Sequence, residues 1–301
     1  MIYTLTLNPA LDYVVNFDTF KLSETNRSSY DYIQYGGKGI NVSKMLKELD
    51  TESICLGYLA GFTGEELERQ VKEDLHLNTD FIKLSHGNTR INVKIRAEEE
   101  TEIGGKGPQV STDDLNKLYA QLDALQENDV LILSGSIPSG LSKEIYKDIL
   151  EKLDGKHIQC VVDATGDLLL KTLAYHPYLI KPNRKELEEL FDVSLNTMDE
   201  IEIYARKLKD LGAQNVIVSC DKDGSLYIDE EDKCYTLGVC IGNLVNSVGA
   251  GDSMVAGFVA GKQKGLSSLD TLKLATASGG ATAFSEGIGT KELVNELLKQ
   301  L

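Results

Sequence analysis

Cations are in deficit in this chain. Its 301 residues carry 31 Lys and Arg against 47 Asp and Glu, a formal charge of −16 at pH 7. A protein that neutralises nucleic-acid phosphates needs a basic footprint, so that class of partner is excluded. A phosphorylated small molecule is not, because a few local cations hold a single phosphate. Long apolar runs are missing as well. The opening stretch MIYTLTLNPALDYVV has neither a basic leader nor enough continuous apolar residues for a secretion signal or a membrane span. The five cysteines, Cys55, Cys160, Cys220, Cys234 and Cys240, are odd in number and lack zinc-ligand or C-x-x-C spacing. They are expected to be reduced thiols of a cytoplasmic protein. No internal repeat or low-complexity tract interrupts the chain.

What is present is ordinary globular composition, 42% hydrophobic and 26% charged. A chain of this length buries a substantial core and reads as two domain-sized units, or one large domain with an appendage. Ile2–Leu7, Val130–Leu133, Cys160–Val162, Leu179–Ile180 and Val216–Val218 are short and mostly apolar on both faces, as strands of a covered parallel sheet are. Amphipathic segments lie between them. Leu67, Val71 and Leu75 recur at helical spacing in Gly64–Leu75, Leu115, Leu118, Leu122 and Leu125 in Thr112–Leu125, and Ile201, Ala205 and Leu208 before Gly212. This alternation predicts an α/β fold with a mostly parallel sheet and right-handed crossovers.

Two stretches, Tyr13–Tyr35 and Asn88–Ile103, carry strand-like alternation with no helix between strands. In Thr89–Arg96 one parity holds Arg90, Asn92, Lys94 and Arg96, and the other Ile91, Val93 and Ile95. Successive strand side chains face opposite sides, so this strand has one polar, cationic face and one apolar face. The polar face is either a solvated exterior or part of a site. Residues 13–35 and 88–103 are therefore expected to form a small β lid on an α/β domain made of 1–12, 36–87 and 104–301.

Open α/β sheets bind ligands beyond the carboxyl ends of their strands, and the residues at those ends form an unusual set. Asn8-Pro9-Ala10-Leu11-Asp12, Ser134-Gly135-Ser136, Asp163, Lys181-Pro182-Asn183 and Ser219 each follow a predicted strand. Any one of them alone reads as a cap or turn residue. The strongest local signal is Asn246-Ser247-Val248-Gly249-Ala250-Gly251-Asp252-Ser253 ahead of the helix Met254–Lys264. Glycines expose backbone amides there, and a helix start adds unsatisfied N–H groups and partial positive charge, which together make an anion site. No Lys-Ser/Thr follows at Walker A spacing, so it is not a P-loop. An Asp beside such a site either caps its helix or accepts a proton from an attacking hydroxyl while the amides steady a phosphoryl group. Gly36-Gly37-Lys38-Gly39-Ile40-Asn41 opens a second helix, with glycines that allow close ligand approach. No G-x-G-x-x-G follows the first strand, which argues against a dinucleotide-dependent dehydrogenase.

YGGKGINVSKML and NSVGAGDSMVAG, with TLNPALD, TRINVK, SGSIP and KPNRKEL between them in order, resemble the signatures of the PfkB (ribokinase-like) sugar kinases. The resemblance spans essentially the whole chain. It implies a three-layer α/β/α domain with a small β-sheet lid, ATP and Mg²⁺, and within the family it is nearest to kinases acting on fructose 1-phosphate. Kinases of tagatose 6-phosphate come next, and a non-catalytic sugar-phosphate sensor on the same scaffold is a further alternative. The resemblance implies Asp252 as catalytic base, with the backbone of Gly249, Ala250 and Gly251 as anion hole. It implies that Asp12 and Asn41 bind sugar hydroxyls, that Gly36 and Gly37 lie against the sugar, and that Ser136 lies on the substrate side. Lys38, Arg27 and Arg90 would hold the phosphate already on the substrate. Asn183 and Glu186 would organise Mg²⁺ and nucleotide phosphates, Glu186 through water. Ser219 and Gly224 would line the nucleotide side, Ala277 and Gly280 would lie near adenine, and Asp221 would point outward. A homodimer through the lids is expected, because lid sheets leave strand edges and apolar faces uncovered.

Overall fold

Apolar residues on both faces commit a strand to burial between two layers. In the computed structural model, which describes residues 1–301, the strands in chain order are β1 (Ile2–Thr6), β2 (Ala10–Asn16), β3 (Tyr30–Gly36), β4 (Ile54–Ala60), β5 (Asn78–Leu84), β6 (Arg90–Arg96), β7 (Glu100–Ile103), β8 (Val130–Ser134), β9 (Gln159–Asp163), β10 (Leu179–Ile180), β11 (Val216–Ser219), β12 (Ser225–Ile228) and β13 (Cys234–Leu237). The large sheet has the order β13-β12-β11-β10-β9-β8-β1-β4-β5. It is parallel from β11 through β5 and antiparallel at β12 and β13. Along β8 the side chains divide as the pleat requires. Val130 and Ile132 pack under Val42, Met45 and Phe258 of the helices Lys38–Glu48 and Ala250–Gln263. Leu131 and Leu133 face Leu118, Ile149 and Leu187 of the helices Thr112–Asp123, Ile145–Leu153 and Arg184–Phe191. The expected three layers are present.

Some local expectations need correction. The helix read as Gly64–Leu75 starts at Gly61, is α-helical to Arg69 and widens to a π turn over Gln70–Asp74. The helix read to Leu125 closes at Asp123. β4, β5, β12 and β13 have no counterpart among the strands expected from apolar runs. In β4 the run is broken by Gly57, whose φ of 148° and contact with β1 exclude a side chain: a Cβ there would lie 2.0 Å from the Thr6 carbonyl oxygen.

The smaller sheet has the order β3-β2-β6-β7. Asp12 lies in β2 and Gly36 ends β3, so both belong to it. The polar face of β6 is the covered one. Asn92 and Lys94 are buried, whereas Ile91 on the opposite parity is 44% exposed. Ile33 and Ile103 are exposed as well. All five cysteines are unpaired, and no helix is long and apolar enough to cross a membrane.

The helices Ala250–Gln263 and Ser268–Ala283 cross closely because Gly257 has no side chain. A Cβ there would lie 2.7 Å from both Ala275 Cα and the Leu274 carbonyl oxygen. Gly257→Val should therefore cost about 3 kcal/mol of stability through overpacking. Chemical denaturation would read this as a lower midpoint with an unchanged slope.

Candidate active site

Three register partners mark the carboxyl edge of the large sheet: Thr6 of β1, Ser134 of β8 and Asp163 of β9. Lys181 follows directly after β10. Two helix starts meet above this edge. Gly249 has φ 84°, a left-handed turn suited to glycine, and begins the helix that carries Asp252. The Ala250 amide donates to the Ser247 carbonyl and the Ser253 amide to that of Gly249, while the amides of Gly251 and Asp252 between them have no acceptor. Two free N–H groups at a helix start form an anion cradle.

Asp252 is buried, with 6% of the residue exposed. Its Oδ2 accepts a hydrogen bond from Asn41 Nδ2 at 2.9 Å, joining the two helix starts. Burial, and then the neighbouring Asp163 carboxylate, raise its pKa to about 6, against the pull of Asn41, Lys38 and Lys181. That value suits a proton acceptor working near neutrality. The acid limb of kcat/KM should accordingly fall near pH 6, with activity lost as pH drops through it. A profile that stays flat down to pH 5 would remove Asp252 as the titrating group.

Asp163 is buried between two ammonium groups. Its Oδ2 accepts from Lys38 Nζ at 2.8 Å, and its Oδ1 lies 3.6 Å from Lys181 Nζ. Although burial opposes ionisation, Lys181 and Lys38 hold it below the usual carboxylate range. Lys38 is the first residue of its helix and is placed by Gly37, where a Cβ would meet Thr6 Cγ2 at 2.8 Å.

Asp12 in β2 is held from β6: its Oδ1 accepts from Asn92 Nδ2 at 2.7 Å, and its Oδ2 lies 3.1 Å from Lys94 Nζ. Gly36 lies directly beside it: a Cβ there would stand 3.4 Å from Oδ2. Arg90 Nε donates to the Asn8 carbonyl at 3.1 Å, which fixes the guanidinium at the mouth of β1. Burial lowers its pKa below the usual arginine value. Arg27 is exposed in the segment between β2 and β3, and Ser136 is exposed beyond β8.

Asn183 and Glu186 form a reciprocal capping box at the start of the helix Arg184–Phe191. The Glu186 amide donates to Asn183 Oδ1 at 2.8 Å, and the Asn183 amide to Glu186 Oε2 at 2.8 Å. The bland helix-cap reading of this motif is thus real, and it leaves Glu186 Oε1 free. No group of three or more His, Cys, Asp or Glu side chains is arranged to hold a metal. A single carboxylate with a free oxygen fits Mg²⁺, which keeps most of its waters and leans on substrate phosphates. It would not fit a metal needing an all-protein cage. Ser219 bridges to Asn183. Gly224 turns at φ 99° against the Leu237 carbonyl. Gly280 packs on Cys240 and Leu297, and Ala277 is wholly buried in the core. Asp221 is exposed, as expected, and Arg184 pairs with Asp223 at 2.6 Å.

The fold thus gathers Asp252, Asn41, Gly249, Gly251 and Lys38 around one centre, with Asp12, Gly36 and Arg90 on the lid side. No side-chain hydrogen bond or ion pair links Arg27, Ser136 or Ala277 to them; Arg27 and Ser136 are exposed and Ala277 is buried. Asp163, Lys181, Asn92 and Lys94 have no assigned role in the sequence reading. Asp163 and Lys181 were visible as polar residues at strand ends, and Asn92 and Lys94 in the parity of β6.

The family model for pfkB family carbohydrate kinases matches residues 5–294. A 1-phosphofructokinase of Bacillus subtilis (strain 168) is 45% identical, the alignment covering all of this chain and 98% of the relative. A D-tagatose-1-phosphate kinase of Bacillus licheniformis is 35% identical, with coverage of 100% and 98%. Among solved structures, phosphofructokinase-2 from Escherichia coli, in complex with substrates and products, superposes with a TM-score of 0.92 at 26% identity, covering 100% of this chain and 99% of that one.

Proposed function

The chain belongs to the pfkB family of carbohydrate kinases, and from that premise we propose that it phosphorylates the C6 hydroxyl of fructose 1-phosphate with ATP to give fructose 1,6-bisphosphate. The observation that carries this reading is the buried Asp252 carboxylate, poised by Asn41 beside two free amides. The phosphorus–oxygen bond to the nucleotide breaks with its electron pair going to ADP, and the C6 oxygen bonds to phosphorus. The hydroxyl proton passes to Asp252. The Gly251 and Asp252 amides meet charge on the phosphoryl oxygens. Asp12 accepts from sugar hydroxyls, Gly36 and Gly37 let the sugar approach the backbone, and Arg90 holds the phosphate already present.

On the nucleotide side, Asn183, Ser219, Gly224 and Gly280 border the phosphates and base. Glu186 would hold Mg²⁺ through water, and that ion supplies charge neutralisation for the phosphates when bound. The small sheet β3-β2-β6-β7 acts as a lid that excludes water, the competing acceptor. The reading places the protein in the cytoplasm, where ATP and unpaired thiols belong together. Exposed Ile33, Ile91 and Ile103 on the outer lid face support a homodimer through the lids. Sedimentation as a monomer at assay concentration would remove it.

A second reading, a tagatose phosphate as acceptor, is favoured by the 35% identity to the D-tagatose-1-phosphate kinase. Parallel kcat/KM values on fructose 1-phosphate, tagatose 1-phosphate and tagatose 6-phosphate decide between them. The proposal requires fructose 1-phosphate to give the highest value.

A further inference from the structure

Lys38 sits in a charge neighbourhood different from that of Arg90. The turn at Gly37 directs it over Gly135, where a Cβ would lie 4.0 Å from Lys38 Cβ, and on to Asp163. Beyond Asp163, Lys181 Nζ rests against the anion cradle, 3.1 Å from where a Cβ of Gly251 would stand. Lys38, Asp163 and Lys181 thus form a chain of alternating charge from one helix start to the other. After Asp163, the carboxylates acting on Lys38 are Asp252 and Glu186. Those acting on Arg90 are Asp12 and Glu102 of the lid sheet. A ketose carrying phosphate at C1 and receiving another at C6 presents its two ends to different cations. The Lys38 ammonium shares its surroundings with the base and the cradle, and Arg90 shares its own with the lid.

We propose that Lys38 is a catalytic residue that neutralises the phosphoryl group in transit to the sugar, and that Asp163 is the positioning residue that holds it there. This assignment rests on the reading that the site transfers a phosphoryl group, and it moves Lys38 away from the phosphate already on the substrate. Lys38 keeps its proton throughout. Its ammonium meets charge that spreads over the equatorial phosphoryl oxygens as the bond to the nucleotide loosens, while the hydroxyl proton goes to Asp252. The Lys38 side chain is 45% exposed and reachable by a ligand, whereas that of Asp163 is only 9% exposed. Asp163 therefore acts through Lys38, and Lys181 fixes its other oxygen. A compact ammonium on a flexible stem suits a group that must follow a moving phosphoryl.

The test compares wild type with Lys38→Met, Lys38→Arg and Asp163→Asn, using calorimetric binding of fructose 1-phosphate together with steady-state rates. Lys38→Met should bind fructose 1-phosphate within about twofold of wild type and lose about a hundredfold in kcat. Lys38→Arg should regain part of that kcat, and Asp163→Asn should lose about tenfold in kcat with little change in KM. The inference is overturned if Lys38→Met weakens fructose 1-phosphate binding by about tenfold or more while kcat stays near wild type. It is equally overturned if binding and kcat fall together with no recovery in Lys38→Arg. Wild-type protein that turns over no ketose phosphate would instead bring down the functional reading, and this inference with it.

Discussion

Asp252→Asn should lower kcat by about a thousandfold and leave the affinity for fructose 1-phosphate nearly intact. The amide keeps the shape of the side chain and its contact with Asn41 but cannot take the hydroxyl proton. The free amides of Gly251 and Asp252 remain in place, which is why a residual rate is expected rather than none. The same substitution should stabilise the fold. A carboxyl raised from 3.8 to about 6 binds protons more readily in the folded chain. Stability therefore falls as pH rises from the unfolded value through about 6, and the full cost of the buried charge is present above it. The Asn variant should unfold at higher denaturant than wild type at pH 8, and the gap should close towards pH 4. A variant less stable than wild type at pH 8 would mean that the buried Asp252 charge supports the fold instead of straining it.

Arg90→Met should raise KM for fructose 1-phosphate by about tenfold to a hundredfold with kcat within about threefold of wild type. Arg90 spends only Nε on the protein, at the Asn8 carbonyl. Its two terminal nitrogens remain for a bidentate grip on phosphate, the strong form of that contact. The phosphate at C1 does not react, so it is held equally in the ground and transition states, and losing the grip shows in KM. Set beside Lys38→Met, the two variants should split KM from kcat in opposite senses. A fall in kcat at unchanged KM for Arg90→Met would place this arginine at the reacting end.

The central layer was readable because β1, β8, β9, β10 and β11 are apolar on both faces and nothing competes with that signal. β4 escaped because Gly57 breaks its pattern, and the reason for that glycine, contact with the Thr6 carbonyl, exists only in three dimensions. β5 escaped because its first residues, Asn78, Thr79 and Asp80, are polar. The alternation in β6 was legible, but its direction was not. A parity pattern cannot tell whether Asn92 and Lys94 meet water or Asp12, and they meet Asp12. In the site, the glycine turns and Asp252 announced themselves through local chemistry. Asp163 did not, since its part depends on Lys38 and Lys181, which lie far from it or from each other in sequence. The N-x-x-E motif shows that two readings can hold together, because Asn183 and Glu186 cap a helix and still leave one carboxylate oxygen free.

Phosphorus-31 NMR of the reaction mixture tests the account most directly. With wild-type protein, ATP and fructose 1-phosphate, a second sugar phosphoester at C6 should grow in step with ADP, and the Asp252→Asn variant should form it only at a trace rate. ADP accumulating beside inorganic phosphate with no new ester, or an ester formed equally fast by the Asn variant, would contradict it.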